Sequence, residues 1–139
     1  MIEVLFLETD TVPDSKIEYS VIVATHGGKL VLCKNKNRDT WEIPGGHREQ
    51  GETPEQAAKR ELFEETGALE YSISELFRYA VKQNGSKSCG AVFWADIEAF
   101  GDLPDFEISE TALFDELPPN LTYPQIQPLL LKKAQSLVK

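Results

Sequence analysis

Long apolar segments are absent from this 139-residue chain, and basic residues are few. No apolar run approaches the roughly 18 residues of a membrane span, so we expect no membrane-spanning helix and no membrane partner. Lysine and arginine together number 14, against 23 aspartates and glutamates, which gives a formal net charge of -9. Such a chain is poorly suited to non-specific binding of nucleic acid, so we expect no DNA partner. A polyphosphate substrate would also be repelled unless divalent cations were bound.

Cysteine is equally scarce. Cys33 and Cys89 are the two cysteines, and their separation in the sequence is unlike the paired spacing of a zinc site. We expect both to be buried free thiols in a reducing compartment. The first residues, Met1-Ile2-Glu3, lack the basic segment of a secretory signal peptide. These features together predict a soluble, cytoplasmic protein.

Neither internal repeats nor a linker interrupts the chain, and its length suits one domain, which we place at residues 1–139. Apolar alternation and β-branched residues predict strands at residues 2–7, 17–25, 29–34, 69–82, 88–97 and 111–114. The turn sequences His26-Gly27-Gly28 and Asn84-Gly85 predict two hairpins. The Pro44-Gly45-Gly46 segment should break regular structure, and residues 101–109 should form an acidic loop.

Two helices are expected. Thr53 is a suitable N-cap, Pro54 suits the first turn, and Gln56 occupies the capping-box position of a helix that should end at Gly67. An apolar stripe predicts a second helix at residues 123–137. The predicted order along the chain is strands, a central helix, further strands and a final helix. This order predicts an α/β fold with a mixed β-sheet between helices.

The segment spanning residues 45–69 has glycine, arginine and glutamate at fixed spacing. Its pattern is G-x5-E-x7-R-E-U-x-E-E-x-G-U, where U is aliphatic. The specified positions are filled by Gly46, Glu52, Arg60, Glu61, Leu62, Glu64, Glu65 and Gly67. Ala68 stands where a larger aliphatic residue is usual, and we expect Leu69 to take over its packing.

Helical geometry brings three of these glutamates to one face. At about 100° per residue, Glu64 lies about 60° to one side of Glu61 and Glu65 about 40° to the other. Carboxylates crowded in this way favour a hard cation such as Mg²⁺ or Mn²⁺. The opposite side of the helix, with Ala58 and Leu62, should pack on the sheet. Taken alone, the same helix face could instead be solvated and paired through Arg60 and Glu64.

The pattern resembles the Nudix box, the signature of the Nudix hydrolases. The resemblance implies an α/β/α sandwich and metal-dependent hydrolysis of a phosphoanhydride. It implies that Glu61, Glu64 and Glu65 hold the metal, together with a backbone carbonyl of Gly45 or Gly46. Gly45 is our first choice for that ligand, and Gly46 is expected beside the substrate. Glu52 and Arg60 are expected to orient the catalytic glutamate and to hold the site rigid.

The general base differs among Nudix relatives. Glu61 is our first choice, and its rival is a glutamate from the acidic loop around residues 105–110. By the spacing found in relatives, Glu107 is expected to be an additional metal ligand, with Glu110 as the second candidate. The alternative for both is a solvated acidic loop.

Residues 42–62 look especially like the mutator-type subgroup, which hydrolyses 8-oxo-dGTP and related nucleoside triphosphates to monophosphate and pyrophosphate. Asn120 lies near the position where such relatives carry a purine-binding asparagine, and its amide offers both a donor and an acceptor. A plain turn is the alternative for Asn120. ADP-ribose, a sugar nucleotide or an RNA 5′-triphosphate end are alternative substrates, and a non-catalytic nucleotide-binding module is the alternative class. Both a monomer and a homodimer are compatible with the sequence.

Overall fold

A computed structural model describes residues 1–7, 11–104 and 108–138, and this part of the chain forms one eight-stranded sheet and two α-helices. The strands are β1 (Ile2–Leu7), β2 (Ile17–His26), β3 (Lys29–Asn35), β4 (Trp41–Glu42), β5 (Gly45–His47), β6 (Ala68–Gln83), β7 (Ser86–Phe100) and β8 (Ile108–Phe114). The helices are α1 (Pro54–Thr66) and α2 (Gln127–Leu137). Within these ranges, neither helix has the length and apolar character that a membrane span requires.

The sheet is mixed, as predicted. Its strand order is β1-β6-β7-β2-β3-β4, while β5 pairs with β2 and β8 pairs with β3. The central strands β2 and β7 run parallel, and the other pairs are antiparallel. The predicted hairpins are confirmed: Gly27 and Gly28 have φ of 59° and 82° between β2 and β3, where a side chain would be strained.

Alternate residues of β2 divide the core between the two helices. Ile22 and Ala24 lie in the cluster that contains Ala58 and Leu62 of α1. Val21 and Val23 lie in the cluster that contains Leu130 and Ala134 of α2. A strand buried on both faces explains the continuous apolar run in this part of the sequence. The predicted α/β fold, with the sheet between helices, is confirmed.

Local signals set the limits of α1. The Thr53 hydroxyl accepts a hydrogen bond from the Gln56 amide at 3.1 Å, and the Gln56 side chain accepts one from the Thr53 amide at 2.9 Å, so the capping box is present. Gly67 ends the helix with a left-handed φ of 75°. The expectation for Leu69 is wrong: Ala68 is buried, whereas Leu69 is 59% exposed. Consecutive residues of β6 point to opposite faces, so Leu69 cannot replace its neighbour.

Several other boundaries differ from the prediction. The Gly45-Gly46 segment forms β5 by pairing with β2, and β8 begins at Ile108 because it extends its pairing with β3. The second helix begins at Gln127 rather than at residue 123. Residues 120–122 are held against Trp41 by backbone hydrogen bonds, and a residue that precedes proline, such as Tyr123, is disfavoured in a helix.

Candidate active site

Strand β5 lies beside the glutamate face of α1. Its pairing places Gly45 opposite Val21 and Gly46 opposite Ser20 in β2. The Gly45 amide donates to Oε1 of Glu65 at 2.7 Å. A Cβ atom on Gly46 would lie 2.7 Å from Cδ of Glu61, so only glycine lets the loop approach this carboxylate so closely.

Arg60 joins the helix to the preceding loop. Its Nε and Nη2 donate to the two carboxylate oxygens of Glu52 at 2.7 and 2.9 Å, and Nη2 also donates to the His47 carbonyl at 3.0 Å. Its Nη1 donates to Oε1 of Glu61 at 2.7 Å and lies 3.5 Å from Oε1 of Glu64. This fork of donors raises the pKa of Arg60 and lowers the pKa of Glu52. Arg60 is therefore fixed by Glu52 and hydrogen-bonded to Glu61.

Glu65 occupies a different environment from Glu61. Burial raises its pKa to about 8, the hydrogen bond from Gly45 opposes this rise, and the charges of Glu61 and Glu42 add to it. The Cys33 thiol lies 3.8 Å from Oε1 of Glu65, and burial together with the Glu65 and Glu42 charges raises the thiol pKa. Burial is thus the main reason that the charged forms of Glu65 and Cys33 are disfavoured in the folded protein.

Cys33 and Glu42 were not predicted as neighbours of the site. The β3–β4 pairing sets Cys33 opposite Glu42, and both are buried. Glu42 directly precedes the Ile43-Pro44 segment that leads into β5, which was the available sequence signal. Cys33 gave none, because its place beside Glu65 depends on a long-range strand pairing. The thiols are unpaired as expected, but Cys89 is only half-buried.

The donor chemistry of this face fits a hard divalent cation. Glu61, Glu64 and Glu65 supply carboxylate oxygens, and burial, which raises the pKa of Glu65, disfavours its charged form. Among the described residues, no three His, Cys, Asp or Glu side chains already converge in a metal-holding arrangement. Arg60 instead engages Glu61 and Glu64. The donor atoms present therefore fit such an ion in their chemistry.

The remaining predicted site residues come from other parts of the chain than β5 and α1. Glu107 falls outside the described residues. Glu110 is exposed on β8, where it lies 3.8 Å from the Lys34 ammonium. Asn120 is exposed beside β4, and its amide donates to the Asp39 carbonyl at 3.3 Å.

Comparison with known proteins adds a family-level match. A sequence profile of the NUDIX domain matches residues 15–126. YtkD of Bacillus subtilis (strain 168), whose name gives 8-oxo-dGTP diphosphatase as a provisional activity, is 38% identical over 102 residues, which cover 73% of this chain and 64% of YtkD. An RNA pyrophosphohydrolase of Actinobacillus succinogenes is 35% identical over 57 residues, 41% of this chain and 29% of that protein. The chain therefore spans less than two thirds of the length of these relatives.

Solved structures agree with the profile. A variant of the Bacillus subtilis pyrophosphohydrolase BsRppH has a TM-score of 0.79 at 30% identity, with 97% of this chain and 90% of that chain covered. A UDP-X diphosphatase has a TM-score of 0.68 at 21% identity, with 92% of this chain and 66% of that chain covered, and it shows the likeness of fold alone.

Proposed function

Because the chain belongs to the Nudix hydrolase family, we propose that it hydrolyses the phosphoanhydride of a nucleoside triphosphate, of the 8-oxo-dGTP kind, to a monophosphate and pyrophosphate. The observation that carries this proposal is the glutamate face of α1 against the Gly45-Gly46 strand, with Arg60 fixed between Glu52 and Glu61. This face combines carboxylate oxygens with the fixed guanidinium of Arg60. The glycine backbone of β5 lies close to both Glu61 and Glu65.

Mg²⁺ or Mn²⁺ would be held by Glu61, Glu64 and Glu65, with the Gly45 carbonyl and Glu107 as further ligands. When bound, such an ion lowers the pKa of water and neutralises phosphate charge. The raised pKa of Glu65 supports this assignment, because a bound cation would offset the burial, and the nearby Glu61 and Glu42 charges, that favour its protonated form.

The protein's own groups have three roles in this proposal. Glu61 accepts a proton from the attacking water, with its carboxylate held in place by the 2.7 Å bond from Arg60. Arg60 stays charged throughout, because its pKa is raised by Glu52 and Glu61. Glu52 anchors Arg60 through two oxygens and fixes the angle at which the guanidinium meets Glu61.

Substrate choice rests on relatives and on one side chain. YtkD supports an oxidised purine nucleotide, and Asn120 is our candidate for contact with the base. RNA 5′-triphosphate ends are the second candidate, because the Actinobacillus relative is named an RNA pyrophosphohydrolase. The net charge of -9 weighs against a long RNA and favours a free nucleotide.

A substrate panel in ¹⁸O-labelled water tests the proposal. Purified protein with Mg²⁺ is given nucleoside triphosphates, 8-oxo-dGTP, ADP-ribose, a sugar nucleotide and a triphosphorylated RNA oligonucleotide, and products are read by mass. We expect pyrophosphate from a triphosphate, with the label showing which phosphorus is attacked. Absence of product from every compound would refute the activity.

Matched variants assign the residues. Glu61→Gln and Glu64→Gln should each lower kcat by at least about 100-fold, since both remove a group proposed to act at the reacting centre. Glu55→Gln is the control, because Glu55 lies on the same helix and forms an exposed pair with Lys59. An unchanged kcat in both active-face variants would contradict the mechanism.

A further inference from the structure

The segment that follows Asn120 is fastened to β4. The Trp41 amide donates to the Asn120 carbonyl, and the Thr122 amide donates to the Trp41 carbonyl, both at 2.9 Å. The Thr40 and Thr122 hydroxyls lie 2.6 Å apart. These bonds hold Tyr123 next to the loop between β3 and β4.

Arg38 of that loop contacts Tyr123 in two ways. Its Nη1 donates to the Tyr123 hydroxyl at 3.3 Å, and its guanidinium lies 5.7 Å from the centroid of the Tyr123 ring. The loop is itself ordered, because the Asn37 amide donates to Oδ1 of Asn35 at 2.9 Å and the Arg38 amide donates to the Asn35 carbonyl at 3.0 Å. The guanidinium therefore has a defined position.

Much of the donor capacity of Arg38 remains available. Its second side-chain hydrogen bond, to Oε2 of Glu42, is long at 3.5 Å. Within the described ranges, both bonds leave from Nη1, and the side chain is 46% exposed. Nε and Nη2 thus face no acceptor that the described residues provide. A guanidinium held in this way can take up a further anion without refolding of its loop.

Glu42 connects Arg38 to the proposed active site. The Cys33 thiol lies 3.6 Å from the Glu42 backbone carbonyl and 3.8 Å from the Glu65 carboxylate. Arg38 therefore pairs with a residue whose backbone is one side chain, Cys33, away from Glu65 of α1.

The other arginines near this site are already engaged. Arg60 is paired with carboxylates, as described above. Arg48 donates to the carbonyls of Ile17, Glu52 and Ser15. Neither can turn to a ligand without breaking short contacts.

We propose that Arg38 binds the phosphate chain of the substrate and that Tyr123 positions its guanidinium. The inference rests on the proposed function above. A phosphate offers oxygens that match the paired donors of a guanidinium better than the single long contact to Glu42 does. The Arg38 guanidinium would also offset the repulsion between a negatively charged substrate and a protein of net charge -9.

Steady-state kinetics on Arg38→Ala, Arg38→Lys, Tyr123→Phe and wild type test the proposal, with inorganic tripolyphosphate as a competitive inhibitor. We expect Arg38→Ala to raise KM for the nucleotide and Ki for tripolyphosphate in parallel, by about tenfold or more, with kcat within about twofold. Arg38→Lys should restore part of both values. Tyr123→Phe keeps the ring but loses the acceptor, so it should raise both by a few fold.

Lys82→Ala is the charge-matched control. Lys82 is exposed near the end of β6, which is separated from β3 by β7 and β2, so its removal should leave KM and Ki unchanged. Circular dichroism verifies that each variant is folded. A KM and a Ki that both stay at the wild-type value in Arg38→Ala would overturn the proposal. A raised KM with an unchanged Ki would also overturn it, because the contact would then be to the nucleoside.

Failure of the proposed function has a separate signature. In that case wild type would hydrolyse no nucleotide of the panel, whatever the state of Arg38. Calorimetric titration of tripolyphosphate with Mg²⁺ into wild type and Arg38→Ala then tests the contact without turnover. Weaker binding by the variant supports the Arg38 assignment, and equal binding overturns it.

Discussion

The two adjacent glycines of β5 are expected to respond differently to the same added methyl group. A Cβ on Gly45 would lie 2.5 Å from the Ser20 carbonyl oxygen and 3.0 Å from Cα of Val21, which are backbone atoms of β2. A Cβ on Gly46 would instead lie 2.7 Å from Cδ and 3.0 Å from Oε1 of Glu61. Gly46 is not among the positive-φ glycines, so alanine causes no backbone strain there.

The loss of unfolding free energy in each variant depends on which atoms the added methyl group has to displace. Gly45→Ala has to displace a paired strand, and overpacking of this kind costs about 1–3 kcal/mol of unfolding free energy. Gly46→Ala has to displace only the Glu61 carboxylate from its 2.7 Å bond with Arg60, which costs about 1–2 kcal/mol. Misplacement of a reacting group by about 1 Å can lower turnover by about 100-fold, so Gly46→Ala should lose most activity while it remains folded.

A double-mutant cycle measured by urea denaturation tests this contact. In a Glu61→Ala background the obstructing carboxylate is gone, so Gly46→Ala should then cost nothing, or stabilise slightly by restricting the unfolded chain. Gly45→Ala should cost the same in both backgrounds, because its obstruction is backbone. An equal cost for Gly46→Ala with and without Glu61 would refute the assigned contact.

Three further predictions concern the stability of the metal-free protein. The pKa of Glu65 is about 8 in the folded protein, against an ordinary value near 4.5, so the unfolded chain releases this proton at lower pH. The free energy of unfolding should therefore fall as pH rises from about 4.5 to 8. In thermal melts with EDTA, Glu65→Gln should flatten that fall. Thr53→Ala removes the N-cap and should cost about 1 kcal/mol in urea denaturation, and an unchanged midpoint would contradict the cap's role. Arg60→Ala removes the guanidinium that pairs with both oxygens of Glu52 and should cost about 2–3 kcal/mol, whereas Lys59→Ala on the exposed face should cost less than about 0.5 kcal/mol. Equal costs would contradict this contrast.

Sequence alone predicted the elements whose signals are local. The limits of α1 follow from Thr53, Gln56 and Gly67, which act within one turn of the helix ends. The start of α2 was missed because residues 120–122 pair with Trp41, a contact between distant parts of the chain. The same limitation hid β5 and the early start of β8, since both depend on which strand lies beside them.

The candidate site divides in the same way. Helical spacing was enough to predict that Glu61, Glu64 and Glu65 share one face. The buried neighbours Cys33 and Glu42 could not be predicted, because the β3–β4 pairing brings them to Glu65. Electrostatics at this face therefore depend on the sheet as much as on the helix, and the raised pKa of Glu65 is a property of the assembled fold.

The dependence of turnover on Mg²⁺ shows whether the glutamate face of α1 works as a metal site. EDTA-treated wild type is titrated with Mg²⁺ in the presence of 8-oxo-dGTP or the best triphosphate of the panel, and pyrophosphate release is followed beside Glu64→Gln and Glu55→Gln. We expect no release without the ion, saturable activation of wild type and Glu55→Gln, and a kcat for Glu64→Gln that stays at least about 100-fold lower. Full release without a divalent ion, or wild-type activation of Glu64→Gln, would contradict the claim that the glutamate face of α1 is a divalent-metal hydrolase site.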